Sequence, residues 1–149
     1  MKSKRSKWLT AILVLVVLFG LVQLIPYGRA HANPPVVNSP VWNSAQTADM
    51  VKVACMDCHS NETIWPWYSN IAPASWLLQA DVDEGKRRFN MSNWPTSKVA
   101  QQGLVDEMVR VIQDGRMPPF QYLIIHKNAS FTAAQKAQLI QGLQSSVGQ

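Results

Sequence analysis

Two cysteines and a histidine stand within five consecutive residues, Cys55-Met56-Asp57-Cys58-His59. The C-x-x-C-H pattern is typical of the covalent attachment site of a c-type haem. Positions i and i+3 share one face of a helix, so both thiols can bond to vinyl groups of the same porphyrin. The adjacent histidine can then bind the iron as its proximal ligand. The pattern therefore predicts a fold built around one covalent haem c fixed at this turn.

Other uses of paired cysteines explain the sequence less well. Structural zinc sites need four ligands, usually as two close pairs, but the chain has only 2 cysteines, and His31 and His126 form no second pair. A thioredoxin-like redox site requires a βαβ pattern that the chain lacks. A disulfide between Cys55 and Cys58 stays open as an alternative, although it leaves the neighbouring histidine unexplained.

The N-terminus has the pattern of an export signal. Its cations are Lys2, Lys4, Arg5 and Lys7, and an apolar run over residues 8–25 follows them. At about 1.5 Å per residue this run nearly spans a bilayer, so the sequence predicts a membrane helix within a signal anchor over residues 1–32. Ala30-His31-Ala32 also fits a cleavage site, so a signal peptide removed after Ala32 is the alternative. The exported part would lie on the periplasmic side of the inner membrane, or free in the periplasm after cleavage.

The charge distribution argues against a nucleic-acid partner. The chain carries a formal charge of +5, but five of its 14 lysines and arginines precede Asn33 and no acidic residue does. The remaining nine basic residues are matched by the 9 acidic ones, so the exported part is formally neutral. Such a part has no basic surface for nucleic acid. The cluster at residues 86–88 is interpreted as a solvated helix face.

The periodicity predicts an all-α domain over residues 44–149, preceded by a Pro-rich tether over residues 33–43. No stretch alternates with the period of a strand. Four helices are expected. Their start signals are Asn43 or Ser44, Pro73, Thr96 or Ser97, and the capping box of Thr132. The third helix should end near Gly115 and present an apolar face of Val99, Leu104, Met108, Val109 and Ile112, whereas Gly85 should weaken the second.

Met117 is the candidate sixth ligand of the iron. It follows Gly115 and precedes two prolines, in a loop that breaks the helical pattern of the core methionines. A thioether sulfur favours ferrous iron and so raises the reduction potential. His126 is the alternative ligand, because bis-histidine ligation also suits haem, and Met91 is a weaker candidate.

Aromatic residues are concentrated after the haem motif. Trp65, Trp67 and Tyr68 combine large apolar surfaces with polar tips, as a pocket for a haem with its carboxylate edge requires. These residues, with Arg116 as a partner for a propionate, are the remaining candidate cofactor-binding residues.

The segment from Cys55 to Trp76 reads C-x-x-C-H-S-N-x-T-x-W-P-W-Y-S-x-I-A-P-x-S-W, and the match continues through Met117-Pro118-Pro119 and Tyr122-x-x-x-His126. It resembles the bacterial haem-binding domain family, which is related to c-type cytochromes. The resemblance covers nearly all of residues 33–145 and implies a monohaem, cytochrome c-like helical domain on the outer face of the inner membrane. Lys127 departs from it, since the family often has proline there.

The function expected from these residues is electron transfer by a membrane-tethered periplasmic cytochrome. Two filled axial positions would leave no vacancy for a substrate, so no enzyme activity is expected. The partners would be the membrane and an unidentified redox protein. The alternative is a haem-based sensor or small-ligand-binding module, in which the distal ligand is displaceable.

Overall fold

The computed structural model describes residues 2–147, and over these residues the fold is helical. The α-helices are α1 (Lys2–Val22), α2 (Ala45–Val51), α3 (Asp57–His59), α4 (Ala74–Arg88), α5 (Lys98–Gln113), α6 (Phe120–Ile125) and α7 (Ala133–Ser145). A π-helical segment, Lys52–Met56, joins α2 to α3, and 3-10 turns occupy Trp67–Asn70 and Lys127–Ala129. The predicted all-α class is confirmed. Within residues 2–147, no helix combines the length and apolarity needed to cross a membrane.

The chain divides into two compact units. Unit 1 contains residues 1–32 and 65–81, and unit 2 contains residues 33–64 and 82–149. The C-x-x-C-H turn and Met117 belong to unit 2. Residues 65–81 lie within the predicted domain over residues 44–149, but in the structure they belong to unit 1, together with the N-terminal segment.

Two helices of unit 2, α2 and α7, begin at the capping residues that the sequence predicts. Ser44 caps α2 by accepting a hydrogen bond from the amide of Thr47, and Thr132 forms a complete capping box with Gln135 at the start of α7. Both caps satisfy amides that a helix leaves without an internal partner. The predicted first and last helices are therefore confirmed at their N-termini.

The core of unit 2 forms where α5 and α2 pack against α7. Its buried members are Val51, Met91, Trp94, Val105, Met108, Val109, Ile112, Leu139 and Leu143. The prediction of Val99 as a core-facing residue is wrong, since 84% of it is exposed, whereas Val105 is 1% exposed. Val99 lies in the first turn of α5, before the helix reaches its partners.

Residues 33–38 form an extended segment, and hydrogen bonds hold it to the rest of unit 2. The amides of Val37 and Asn38 donate to the Ser92 carbonyl at 2.9 and 3.2 Å. The Asn38 side chain donates to the Trp94 carbonyl at 2.8 Å, and the Asn33 side chain donates to that of Thr63 at 2.9 Å. Prolines favour this extended backbone, and the hydrogen bonds fix it.

Within unit 1, the segment that follows α1 lies against residues 65–76. The Gln23 amide group bonds both backbone groups of Ala72, each at 2.9 Å. Gly28 adopts a positive φ of 79°, and its backbone approaches the Ser75 carbonyl so closely that a Cβ would overlap the oxygen. Glycine is required there for both reasons.

Candidate functional site

The two cysteines of the motif lie at the junction of the π-helical segment and α3. Cys55 and Cys58 are not joined by a disulfide, and each residue is partly buried. Burial, with a smaller contribution from the neighbouring Cys58, raises the pKa of Cys55 to about 12. Both sulfurs are thus present as separate groups on one short helical stretch, as thioether attachment requires.

His59 is buried, and its imidazole ring lies against Phe89. Only 8% of His59 is exposed. Its Nδ1 lies 3.4 Å from the Phe89 carbonyl, and the two rings stack at 4.2 Å with an interplanar angle of 16°. Burial lowers the pKa of His59, against a smaller opposing effect of bonds to the Phe89 and Gly85 carbonyls. A neutral imidazole that donates through Nδ1 presents Nε2 as a metal ligand.

Asp57 and Tyr122 connect the turn to α6. The Tyr122 hydroxyl lies 2.9 Å from Asp57 Oδ2 and 3.0 Å from the Val53 carbonyl. The other Asp57 oxygen accepts from the amide of Ile64 at 3.1 Å. Burial, and next the Asp57 carboxylate, raise the pKa of Tyr122, so its hydroxyl stays protonated and donates. The sequence alone does not pair Asp57 with Tyr122, because 65 positions separate them.

We expect Tyr122→Phe to lower the free energy of unfolding by about 1–2 kcal/mol, because it leaves two partly buried acceptors, the Val53 carbonyl and the Asp57 carboxylate, without their donor. Chemical denaturation of the full chain measures this change. An unchanged free energy of unfolding in Tyr122→Phe would contradict a role for its hydroxyl at the turn.

An apolar cleft in unit 2 brings Cys55 and Met117 together. Its lining residues are Ala54, Cys55, Ile112, Met117, Pro118, Phe131, Lys136 and Leu139. Met117 remains 39% exposed. The cleft therefore joins the first thiol of the motif to the predicted thioether ligand, within a wall that is apolar apart from one lysine.

Backbone bonds to the end of α5 fix the loop that carries Met117. The amides of Arg116 and Met117 both donate to the Val111 carbonyl, at 2.9 and 3.2 Å. The Arg116 side chain lies 3.5 Å from the Asp114 carboxylate. Beyond the loop, Pro119 is the N-cap residue of α6, and Tyr122 of this helix contacts the turn. The loop is thus anchored on both sides.

A family model described as a haem-binding domain matches residues 17–145. The chain belongs to this haem-binding domain family. No curated protein and no solved structure matches the sequence. The matched range includes the C-x-x-C-H turn and Met117, so the family assignment and the site agree on haem as the ligand.

The residues of this haem-binding domain fit the cofactor. The thiols of Cys55 and Cys58, the buried imidazole of His59 and an apolar cleft that contains a thioether are groups suited to the vinyl groups, the iron and the apolar plate of a haem. These side chains are therefore compatible with haem as the ligand.

The two other candidate ligands lie elsewhere in the haem-binding domain. Met91 is 2% exposed within the core of unit 2, and its amide donates to the His59 carbonyl at 2.7 Å. His126 follows α6, where its ring stacks on Tyr122 at 3.9 Å and its Nδ1 lies 3.2 Å from the Tyr122 carbonyl. Neither residue lines the cleft that holds Cys55 and Met117.

The predicted aromatic pocket residues belong to unit 1. Trp65 stacks on His31 with ring centroids 4.7 Å apart. Trp67 is 76% exposed and meets Tyr68 edge-on at 5.8 Å. The sequence alone assigns His31 no partner, because Trp65 lies 34 positions further along the chain.

Proposed function

We propose that this haem-binding protein is a monohaem c-type cytochrome that carries electrons. One observation supports this proposal above the others: Cys55 and Met117 line the same apolar cleft, although 62 positions separate them in the sequence. In the proposed site, Cys55 and Cys58 attach the porphyrin covalently, and His59 and Met117 hold the iron. The fold class would then be cytochrome c-like.

The bound haem would supply a metal centre that alternates between ferrous and ferric states. The residues of the chain would orient the ligands and exclude water. Phe89 orients the His59 ring through its carbonyl and its stacked side chain. The apolar lining of the cleft excludes water, which favours the less charged ferrous state. Met117 would supply a second protein ligand to the iron and leave no place for a substrate, so we propose no enzyme activity.

We also propose that the domain works outside the cytoplasm, at the inner membrane. Apolar side chains of α1 are exposed along the helix, among them Trp8 at 72%, Leu15 at 64% and Phe19 at 53%. A continuous exposed apolar surface of this kind is typical of a membrane-associated segment. An unidentified redox protein would be the partner. Fractionation tests the location: retention with inner membranes after a high-salt wash supports it, whereas purely cytoplasmic protein contradicts it.

The test of ligation is the optical spectrum of the full chain, produced in a host that attaches haem c. We expect the ferric parent to show a weak long-wavelength band from a methionine–iron bond, and Met117→Ala to lose it. His126→Ala is the control, since it should leave this band unchanged. A spectrum that depends on His126 and not on Met117 would overturn His/Met ligation, and the absence of covalent haem would overturn the c-type assignment.

A sensor or small-ligand-binding module is the second candidate. The exposure of Met117, 39%, favours it, because a ligand could approach the distal side once the thioether moves. Carbon monoxide binding to the reduced protein distinguishes the candidates. Rapid, tight binding would support the sensor, and absence of binding would support the carrier.

A further inference from the structure

Unit 1 exposes large apolar side chains beyond α1. Trp67 is 76% exposed, and Leu77, in the first turn of α4, is 68% exposed. Leu24, two residues after the end of α1, is 77% exposed. Single exposed apolar residues are ordinary on a protein surface, whereas several in one small unit indicate a surface that contacts something apolar.

Hydrogen bonds place these residues near the C-terminal end of α1. Gln23, the first residue after this helix, bonds both backbone groups of Ala72 at 2.9 Å. Trp67 and Leu77 are each five positions from Ala72. A 3-10 turn begins at Trp67, and the Leu77 amide donates to the Pro73 carbonyl at 3.2 Å. Because helical backbone advances only about 1.5–2 Å per residue, both residues lie within roughly 10 Å of Ala72.

This part of unit 1 carries very few charged residues. Residues 23–32 contain only Arg29, and residues 65–81 contain only Asp81. The end of α4 differs, since five of the six residues over 83–88 are charged. Charged groups need water or a partner, whereas tryptophan, with its apolar body and polar N–H, is favoured where an apolar layer meets water. The charge distribution therefore suits residues 23–32 and 65–77 to the boundary of an apolar layer.

The exposure of α1 indicates which apolar layer this is. Every residue from Ile12 to Phe19 is at least 50% exposed. Successive residues of a helix point about 100° apart, so eight consecutive residues cover its whole circumference. A helix that is apolar all round needs apolar surroundings on every side, which a lipid bilayer provides and a single docked protein does not.

We propose that Leu24, Trp67 and Leu77 insert into the headgroup layer of a phospholipid bilayer, at the level where α1 ends. Unit 1 would then contact the membrane through two segments that are distant in the sequence. Interfacial tryptophans restrict the tilt and rotation of a membrane helix, so this contact would orient unit 1 on the bilayer. The inference rests on the proposed membrane location and is independent of the haem.

The experiment places the full-length holoprotein, with 5-fluorotryptophan at its 6 tryptophan positions, in phospholipid nanodiscs. Trp8→Phe and Trp67→Phe assign two of the fluorine signals. A gadolinium chelate is added either on the lipid headgroups or free in the water, and the relaxation that each causes is measured. We expect the headgroup chelate to relax the Trp67 signal several-fold more than the free chelate does.

Leu77→Asp tests the contact itself. A carboxylate at this position favours water over the headgroup layer, so the ratio of lipid-bound to free relaxation at Trp67 should fall several-fold. Val99→Asp is the matched control, because Val99 also lies in the first turn of a helix and is 84% exposed, but belongs to unit 2. It should leave the ratio at Trp67 unchanged.

Trp8, at the start of the apolar run of α1, separates the ways in which the inference can fail. Lipid contact at Trp8, with Trp67 relaxed mainly by the free chelate, would overturn the insertion of unit 1 and retain the membrane location. A chain that does not enter nanodiscs, or that has lost α1 by cleavage, would overturn both. Shielding of Trp67 from both chelates would overturn lipid as the partner in favour of protein. If no haem is attached, the proposed cytochrome fails, and the same measurements still test the surface.

Discussion

Gly85→Ala is expected to destabilise the protein by about 1–3 kcal/mol, although alanine is the better helix former. Gly85 lies within α4 where the helix approaches the C-x-x-C-H turn. A Cβ there would overlap the Cys58 carbonyl oxygen and come within 2.9 Å of its carbon and 3.0 Å of its Cβ. The neighbours are mainly backbone atoms, which cannot rotate away. The helix and the turn would therefore have to separate.

Gly103→Ala is the matched control for this substitution. Gly103 also lies within a helix, α5, but nothing stands within 4 Å of the position that an alanine Cβ would take. Its replacement should stabilise the protein by about 0.4–1 kcal/mol through helix propensity and lower unfolded-state entropy. Denaturation midpoints and haem content of both variants give the comparison. Stabilisation by both substitutions would contradict the close approach at Gly85.

Cys55→Ser together with Cys58→Ser is expected to abolish covalent haem completely. Serine preserves the size and the local helix, but it provides no sulfur for a thioether. A denaturing gel stained for haem measures the result, because only covalently bound haem remains with the chain. The parent should stain at its full mass, whereas the double variant should not stain.

The single variants serve as controls for that experiment. Each retains one thiol, so each should keep haem attached through one thioether, at reduced yield. Haem staining that persists in the double variant would contradict attachment at the motif. Staining lost in both single variants to the same extent as in the double variant would indicate that folding or delivery, rather than bond number, limits attachment.

Much of the secondary structure could be predicted because its signals are local. Ser44 and Thr132 start helices by bonding to amides within three residues of themselves. Such contacts depend on neighbouring residues and survive in any fold that contains the helix. The short α6 was not predicted, since six residues give too little periodicity to detect.

The prediction that Gly85 would weaken its helix shows the limit of local reasoning. A glycine inside a helix is unfavourable by propensity, yet α4 continues through it to Arg88. The structure requires glycine here because the backbone of Cys58, 27 positions away in the sequence, leaves no room for a Cβ. Propensity scales contain no term for such an approach, so tertiary packing overrides them.

The sequence by itself determined the C-x-x-C-H motif, the helical class and the capped helices, because each follows from residues that are close in the chain. Only the tertiary structure decided which distant groups complete the site. Phe89, 30 positions after His59, orients the imidazole, and Tyr122, 65 positions after Asp57, holds the turn. Apolar residues at helical spacing show which face of a helix is buried, but they do not show which other element packs against that face. Those pairings depend on the packing of whole elements, in which side-chain volume and backbone approach are satisfied together.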